Sequence, residues 1–288
     1  MGGHTFTPAA ANTTLFYTDS GPNATAAPAV LLLHGWTCDL TDWSFQLPLL
    51  LLLGFRVLAL DLRGHGRSAP APAVLPANYT SLPQYYSPSA FASDASALLT
   101  HLGLAAPALV IGHSLGGSVA ATLAARHPDQ VRGAVLVDSS YYFNRTAAAP
   151  LLAAGRDSPE AVAREFEAGG AGYSERTPAW IKAWRRVRTW GTPADVVRAA
   201  IEGLFGTAES EGFWENAEGF LKRGLGEGGV PRLVVVQDPA RVEKEAQIGL
   251  GPGDRVEVLN ESHWLHQQGA ETFNWILEDW LRERDFLP

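Results

Sequence analysis

Short apolar runs recur along this chain with helical stretches between them. The runs at 29–33 and 55–60 are continuously apolar and read as strands buried on both faces, the habit of parallel sheets. Residues 108–111, 131–137, 232–236 and 255–259 add four more strands, and 14–19 alternates like an early, half-exposed one. Helical patterns cover 42–53, where Pro48 interrupts, then 89–102, 118–126 and 270–284. In the last of these Phe273, Ile276, Leu277 and Trp280 recur at helical spacing. Strands alternating with helices predict an α/β fold with a mostly parallel, doubly wound sheet and right-handed crossovers. Residues 20–28 and the proline-rich 69–88 read as loops.

The pattern changes between 141 and 229. Strand-like runs vanish there, and helical patterns rich in Ala, Arg and Glu replace them, carrying Trp180, Trp184, Trp190 and Trp214. The expected organisation is a core of 1–140 and 230–288 with 141–229 as a helical cap, or lid.

Ligands of doubly wound sheets bind beyond the carboxyl ends of strands. His34, Asp61, Ser114, Asp138, Asp238 and His263 all stand just past strand runs. Ser114 lies in Gly112-His113-Ser114-Leu115-Gly116-Gly117, between a strand run and a helix pattern. This is a nucleophile elbow, a turn so tight that residues two before and two after the serine need to lack a Cβ. A serine hydroxyl needs a base, and the base an orienting acid. His263, in the loop after the last strand, is the expected base, and His266 lies one helical turn on. Asp138 and Asp238 both satisfy the order serine, acid, histidine. Asp138 is the nominee, and the other is expected to serve a turn or a helix cap. An oxyanion needs two donors. The N–H groups of Leu115 and Trp36 fit, with Gly35 allowing close approach. His34, Trp36, His113, Trp184 and Trp190 are expected to line the substrate pocket.

Composition narrows the partners. A formal charge of −8 argues against nucleic acid and anionic membranes. The one cysteine, Cys38, excludes an intrachain disulfide and argues against a cysteine metal site. The N-terminal residues lack the basic and apolar regions of a signal peptide, so a cytoplasmic protein is expected. The Asn-x-Ser/Thr triplets at Asn12, Asn23, Asn78, Asn144 and Asn260 are accordingly read as chance. The longest apolar run, 49–53, is far too short to span a bilayer. No cofactor and no metal are expected.

His34-Gly35-Trp36, the loop 61–68, the 112–117 elbow and His263-Trp264-Leu265-His266 stand in an order and spacing that resemble the α/β-hydrolase fold family. The resemblance implies Ser114 as nucleophile, His263 as base, Trp36 and Leu115 as oxyanion donors, and a helical cap. In most of that family the acid follows the strand before the histidine loop, where Asp238 stands. A subset that includes lactonases has it at the Asp138 position. Arg63, His65 and Arg67 match the family's glycine loop and are expected to be structural. The expected activity is a serine esterase or lactonase acting on a hydrophobic, aromatic or polycyclic small molecule. The chain is also similar to cofactor-free dioxygenases of this fold, which open N-heteroaromatic rings with a His–Asp pair. Leu115 departs from that group, which has His there. A non-catalytic small-molecule receptor is the third reading.

Overall fold

The computed structural model describes residues 2–22, 27–168 and 172–288. Parts of the 20–28 loop and of the 141–229 segment, and the Asn23 triplet, lie outside them. The strands are β1 (Gly2–Phe6), β2 (Leu15–Ser20), β3 (Ala29–Leu33), β4 (Arg56–Leu60), β5 (Ala108–His113), β6 (Val131–Val137), β7 (Arg232–Val236) and β8 (Arg255–Val258). They form one sheet in the order β1-β2-β4-β3-β5-β6-β7-β8. β2 runs antiparallel to both β1 and β4, and every pair from β4 to β8 is parallel. This is the doubly wound sheet that the hydrophobic pattern predicts.

The helices before β7 are α1 (Leu47–Leu52), α2 (Leu82–Tyr85), α3 (Pro88–His101), α4 (Leu115–Arg126), α5 (Arg145–Asp157), α6 (Pro159–Glu167), α7 (Ala179–Gly191), α8 (Ala194–Phe205) and α9 (Trp214–Leu225). After it come α10 (Ala240–Ile248), α11 (Leu265–Gln268) and α12 (Ala270–Glu283). The helix expected at 42–53 is divided. A 3-10 turn covers Leu40–Trp43, and α1 begins beside Pro48, which is tolerated only in a first turn. β1 has no counterpart in the sequence reading, and α2 falls inside the stretch read as a loop.

Alternate strand residues feed two cores, as the period of two requires. Leu31, Leu33, Val110 and Leu136 face α3 and α4, and that cluster continues into α5–α9. Val30, Leu32, Ile111 and Val135 face α1 and α12, where Phe273, Leu277 and Trp280 close the layer. Helices α5–α9 lie between β6 and β7 and join the sheet through one continuous apolar cluster. Among the described residues no helix is long and apolar enough to cross a membrane.

Register decides what meets at the carboxyl edge. Leu33 pairs with Gly112, His113 with Val137, and Val137 with Val235. The ladder runs one residue further, for Ser114 N–H donates to Val137 O at 2.9 Å and Asp138 N–H to Val235 O at 2.8 Å. Ser114 and Asp138 are therefore neighbours across adjacent strands. The elbow between them is crowded. A Cβ on Gly112 would lie 2.0 Å from Gly116 O, and one on Gly116 2.2 Å from Leu33 O. Since backbone cannot yield as a flexible side chain does, Gly116→Ala is expected to lower stability by about 3 kcal/mol, the upper end for overpacking. Urea unfolding checks this, and a loss under about 0.5 kcal/mol would contradict the close approach of α4 to β3.

Candidate active site

Ser114 has φ 55° and ψ −117°, outside the ordinary regions for an L-residue. Holding it there costs about 1–3 kcal/mol, which the ladder bond on one side and α4 on the other sustain. Its Oγ pairs with Ser140 Oγ at 3.1 Å. No hydrogen bond joins it to His263 among the described residues.

His263 stands in the loop between β8 and α11. Its Nδ1–H donates to Asp138 Oδ2 at 2.5 Å. Asp138 is fully buried, with φ 43°, a left-handed conformation that aspartate tolerates better than most residues. Its other oxygen accepts from Gln237 N–H at 3.1 Å and from the Arg241 guanidinium. Burial alone pushes this carboxyl upward. The Arg241 charge and the His263 hydrogen bond outweigh it and hold the group below the usual carboxylate range. Asp238 is exposed, and its Oδ1 accepts from Ala240 N–H at 2.9 Å at the start of α10.

Among the described residues the N–H groups of Trp36 and Leu115 have no hydrogen-bond partner. Both residues flank the elbow, and a Cβ on Gly35 would lie 3.2 Å from Ser114 Cβ. The Trp36 ring donates its Nε1–H to Val197 O at 3.1 Å, which ties the loop after β3 to α8. The cavity over Ser114 holds about 520 Å³ of atom-free space counted out to its mouth. Ser114, Ser140, His113, His263 and Arg241 are among its polar lining, and Trp36 lines it beside Phe166. Leu151 of α5, Phe166 of α6 and Ile201, Leu204 and Phe205 of α8 are among its apolar lining.

Three expected wall residues are elsewhere. His34 is buried beneath the loop, where both ring nitrogens are engaged: Nδ1–H donates to Gly35 O at 2.8 Å, and Nε2 accepts from Leu62 N–H at 3.0 Å. Trp184 and Trp190 are not among the cavity's lining residues, and Trp190 is 52% exposed. The cause lies in α7, whose buried face carries Arg185 and Arg188. Arg185 reaches the buried Asp42 at 2.9 Å and Arg188 at 2.5 Å. An unpaired buried carboxylate would be far costlier than exposed indoles, so the arginines turn inward. Arg185 thereby becomes a cavity residue, as do Ser140 and Arg241. The sequence reading passed over all three.

The glycine loop is held by its own side chains. Arg63 pairs with Asp94 at 2.7 Å, His65 Nδ1–H donates to Arg63 O at 3.0 Å, and Arg67 lies over the Phe16 ring at 4.9 Å. Asp42, His113 and His266 bring potential ligand atoms within 4.8 Å of one another. Asp42 already serves two guanidinium groups, so its carboxylate is engaged and not free to bind a metal ion.

His65, His113 and His266 are buried, and burial holds them neutral. His65 and His266 are pushed down to about 3, and His113 well below the ordinary histidine range. The His113 ring lies 4.6 Å from that of His263, and its Nε2–H donates to His263 O at 2.9 Å.

Residues 28–158 match the alpha/beta hydrolase fold family. A pimeloyl-[acyl-carrier protein] methyl ester esterase of Chromobacterium violaceum is 32% identical over 242 residues, which cover 83% of this chain and 80% of that protein. A bifunctional esterase/perhydrolase of Acinetobacter calcoaceticus is 34% identical over 52% of this chain; there the match spans about half the relative's length, 47%. The enol-lactonase from Burkholderia xenovorans LB400 superposes with a TM-score of 0.73 at 26% identity, over 95% of this chain and 99% of that one.

The buried histidines set a pH dependence. Each binds a proton in the unfolded chain below about pH 6.5 but not in the folded one, so acid favours unfolding. Each is expected to remove about 1.4 kcal/mol of stability per pH unit from about pH 6.5 down toward its folded value. Urea unfolding of His266→Gln between pH 6.5 and 4.5 should show a slope shallower by about one proton than wild type. Equal slopes would contradict a neutral His266.

Proposed function

The chain belongs to the α/β-hydrolase fold family, and within it we propose a serine hydrolase that cleaves an ester or lactone of a small hydrophobic molecule. The observation that carries this reading is the His263–Asp138 hydrogen bond of 2.5 Å beside a serine held on a strained elbow. Ser114 Oγ, turned from Ser140 toward His263, attacks the carbonyl carbon while His263 Nε2 takes its proton. The oxyanion receives the unpartnered N–H groups of Trp36 and Leu115. His263 then returns the proton to the leaving oxygen, and an acyl-Ser114 ester remains. Water, deprotonated by His263, attacks that ester and releases the acid. In a lactone both oxygens belong to one molecule, which leaves as a hydroxy acid. Asp138 orients His263 and steadies the imidazolium formed on the way.

The apolar lining supports a hydrophobic acyl or alcohol part, with residues 141–229 acting as the cap that excludes water from it. The relatives named as an esterase, an esterase/perhydrolase and an enol-lactonase agree with this chemistry.

One observation favours the second reading, a cofactor-free oxygenase. Ser114 Oγ is paired with Ser140, which leaves the His263–Asp138 pair as a base in its own right. Steady-state kinetics on an aryl-ester and lactone panel separates the two. Ser114→Ala is expected to lower kcat about 10⁴-fold or more. Appreciable residual turnover with oxygen uptake would favour the oxygenase instead.

The acid is tested by a pair of variants. Asp138→Asn is expected to lower kcat about 10³–10⁴-fold, while Asp238→Asn keeps it within about threefold, since that carboxylate acts at a helix cap. The reverse ranking would move the acid to Asp238.

A further inference from the structure

The family resemblance puts the usual acid position after β7, where this chain has Asp238. The helix that starts there sends a cation to the acid at the end of the neighbouring strand. We propose that Arg241 is a positioning residue that acts through Asp138: it grips one carboxylate oxygen so that the other is presented to His263. This rests on the serine hydrolase reading above and goes beyond it.

Each end of the contact is anchored. Asp138 is fully buried, so its carboxylate needs partners on both oxygens. Oδ2 has His263, while Oδ1 has Arg241 and the Gln237 N–H. Without the guanidinium, Oδ1 would keep one neutral donor, and the carboxylate could rotate about its χ2 toward it. Arg241 itself is nearly buried, with its side chain 13% exposed, and its guanidinium lies over the Tyr142 ring at 5.0 Å.

The helix is locked as well. Asp238 caps it at Ala240 N–H, and Arg241 N–H donates to Asp238 O at 3.0 Å. One turn on, the fully buried Glu245 accepts from Tyr141 and Tyr142 hydroxyls at 2.9 and 2.7 Å, and from Arg232 Nε at 3.1 Å. That network pins α10 to β7 and to the segment just after Asp138. Arg241 therefore arrives at a fixed position.

The electrostatic consequence has a definite sign. A guanidinium sharing the Asp138 carboxylate opposes a second positive charge on His263. Removing the guanidinium charge is expected to move the acid limb of kcat/KM to higher pH. The other charged or titratable groups around this pair are His113 from β5, Asp42 from the 3-10 turn, Tyr142 after β6, Arg185 from α7, Asp238 and Lys244 at α10 and His266 from α11. None of them hydrogen-bonds to Asp138.

The test uses the full chain, with Ser114 titrated by a fluorophosphonate so that rates refer to competent sites only. Arg241→Met is expected to lower kcat about tenfold and to raise the acid limb by about one pH unit. Arg241→Lys keeps the charge but loses the planar fork. It should hold the limb within about 0.3 unit of wild type while kcat falls severalfold. A purely structural role would lower the titratable fraction and leave the limb where it was. An unmoved limb in Arg241→Met, with wild type labelled at Ser114, overturns this inference alone. Should that variant not fold, a limb in Arg241→Lys that moves up by a full unit overturns it. Failure of wild-type Ser114 to label overturns the serine hydrolase reading, and this inference with it.

Discussion

The parallel pairing of β5 with β6 is the constraint on which the site depends. One residue beyond that ladder stand Ser114 and Asp138, each tied by its N–H to the carbonyl of the next strand. Both have positive φ, and in each the chain leaves the sheet by an abrupt turn. A slip of one residue would reverse which face every side chain of β6 meets, so the two apolar cores enforce this register. Packing on both sides of the sheet thus reaches the site through backbone geometry.

Charge compensation is the second organising principle. Four buried carboxylates, Asp42, Asp94, Asp138 and Glu245, each meet at least one guanidinium, while the buried Asp61 is held by the Leu40 and Arg67 backbone N–H groups. These pairs join segments far apart in sequence: Arg185 and Asp42 are 143 residues apart, and Arg241 and Asp138 103. The Asp42 pairs fix the inward face of α7, the Glu245 pair fixes α10, and both helices deliver an arginine to the cavity. Hydrophobic burial sets the layers, and ion pairs choose which faces of α7 and α10 point inward.

This division explains what the sequence could tell. Strand runs and glycine spacing are local signals, so the sheet, the elbow and the histidine loop were legible from neighbouring residues. Chain order alone left Asp138 and Asp238 both open. The contact with His263 depends on which strand ends beside β5, a property of strand order. The tryptophans of α7 misled for a related reason. Hydrophobicity suggested that Trp184 and Trp190 face the cavity, but a single buried aspartate from a distant turn rotates the helix the other way. β1 passed unread because a short edge strand holding two glycines carries little pattern. Arg241 lies on a helix whose apolar stripe is weak, so nothing nearby marked it.

The central claim is that Ser114 forms a covalent bond to the acyl group during turnover. Rapid acid quench of the wild-type enzyme with an activated aryl ester, followed by peptide mass mapping, tests this most directly. The account predicts one adduct of acyl mass on the peptide containing Ser114, formed and consumed at rates compatible with kcat. Turnover at full rate with no adduct on that peptide, or with the acyl group on another residue, would contradict it.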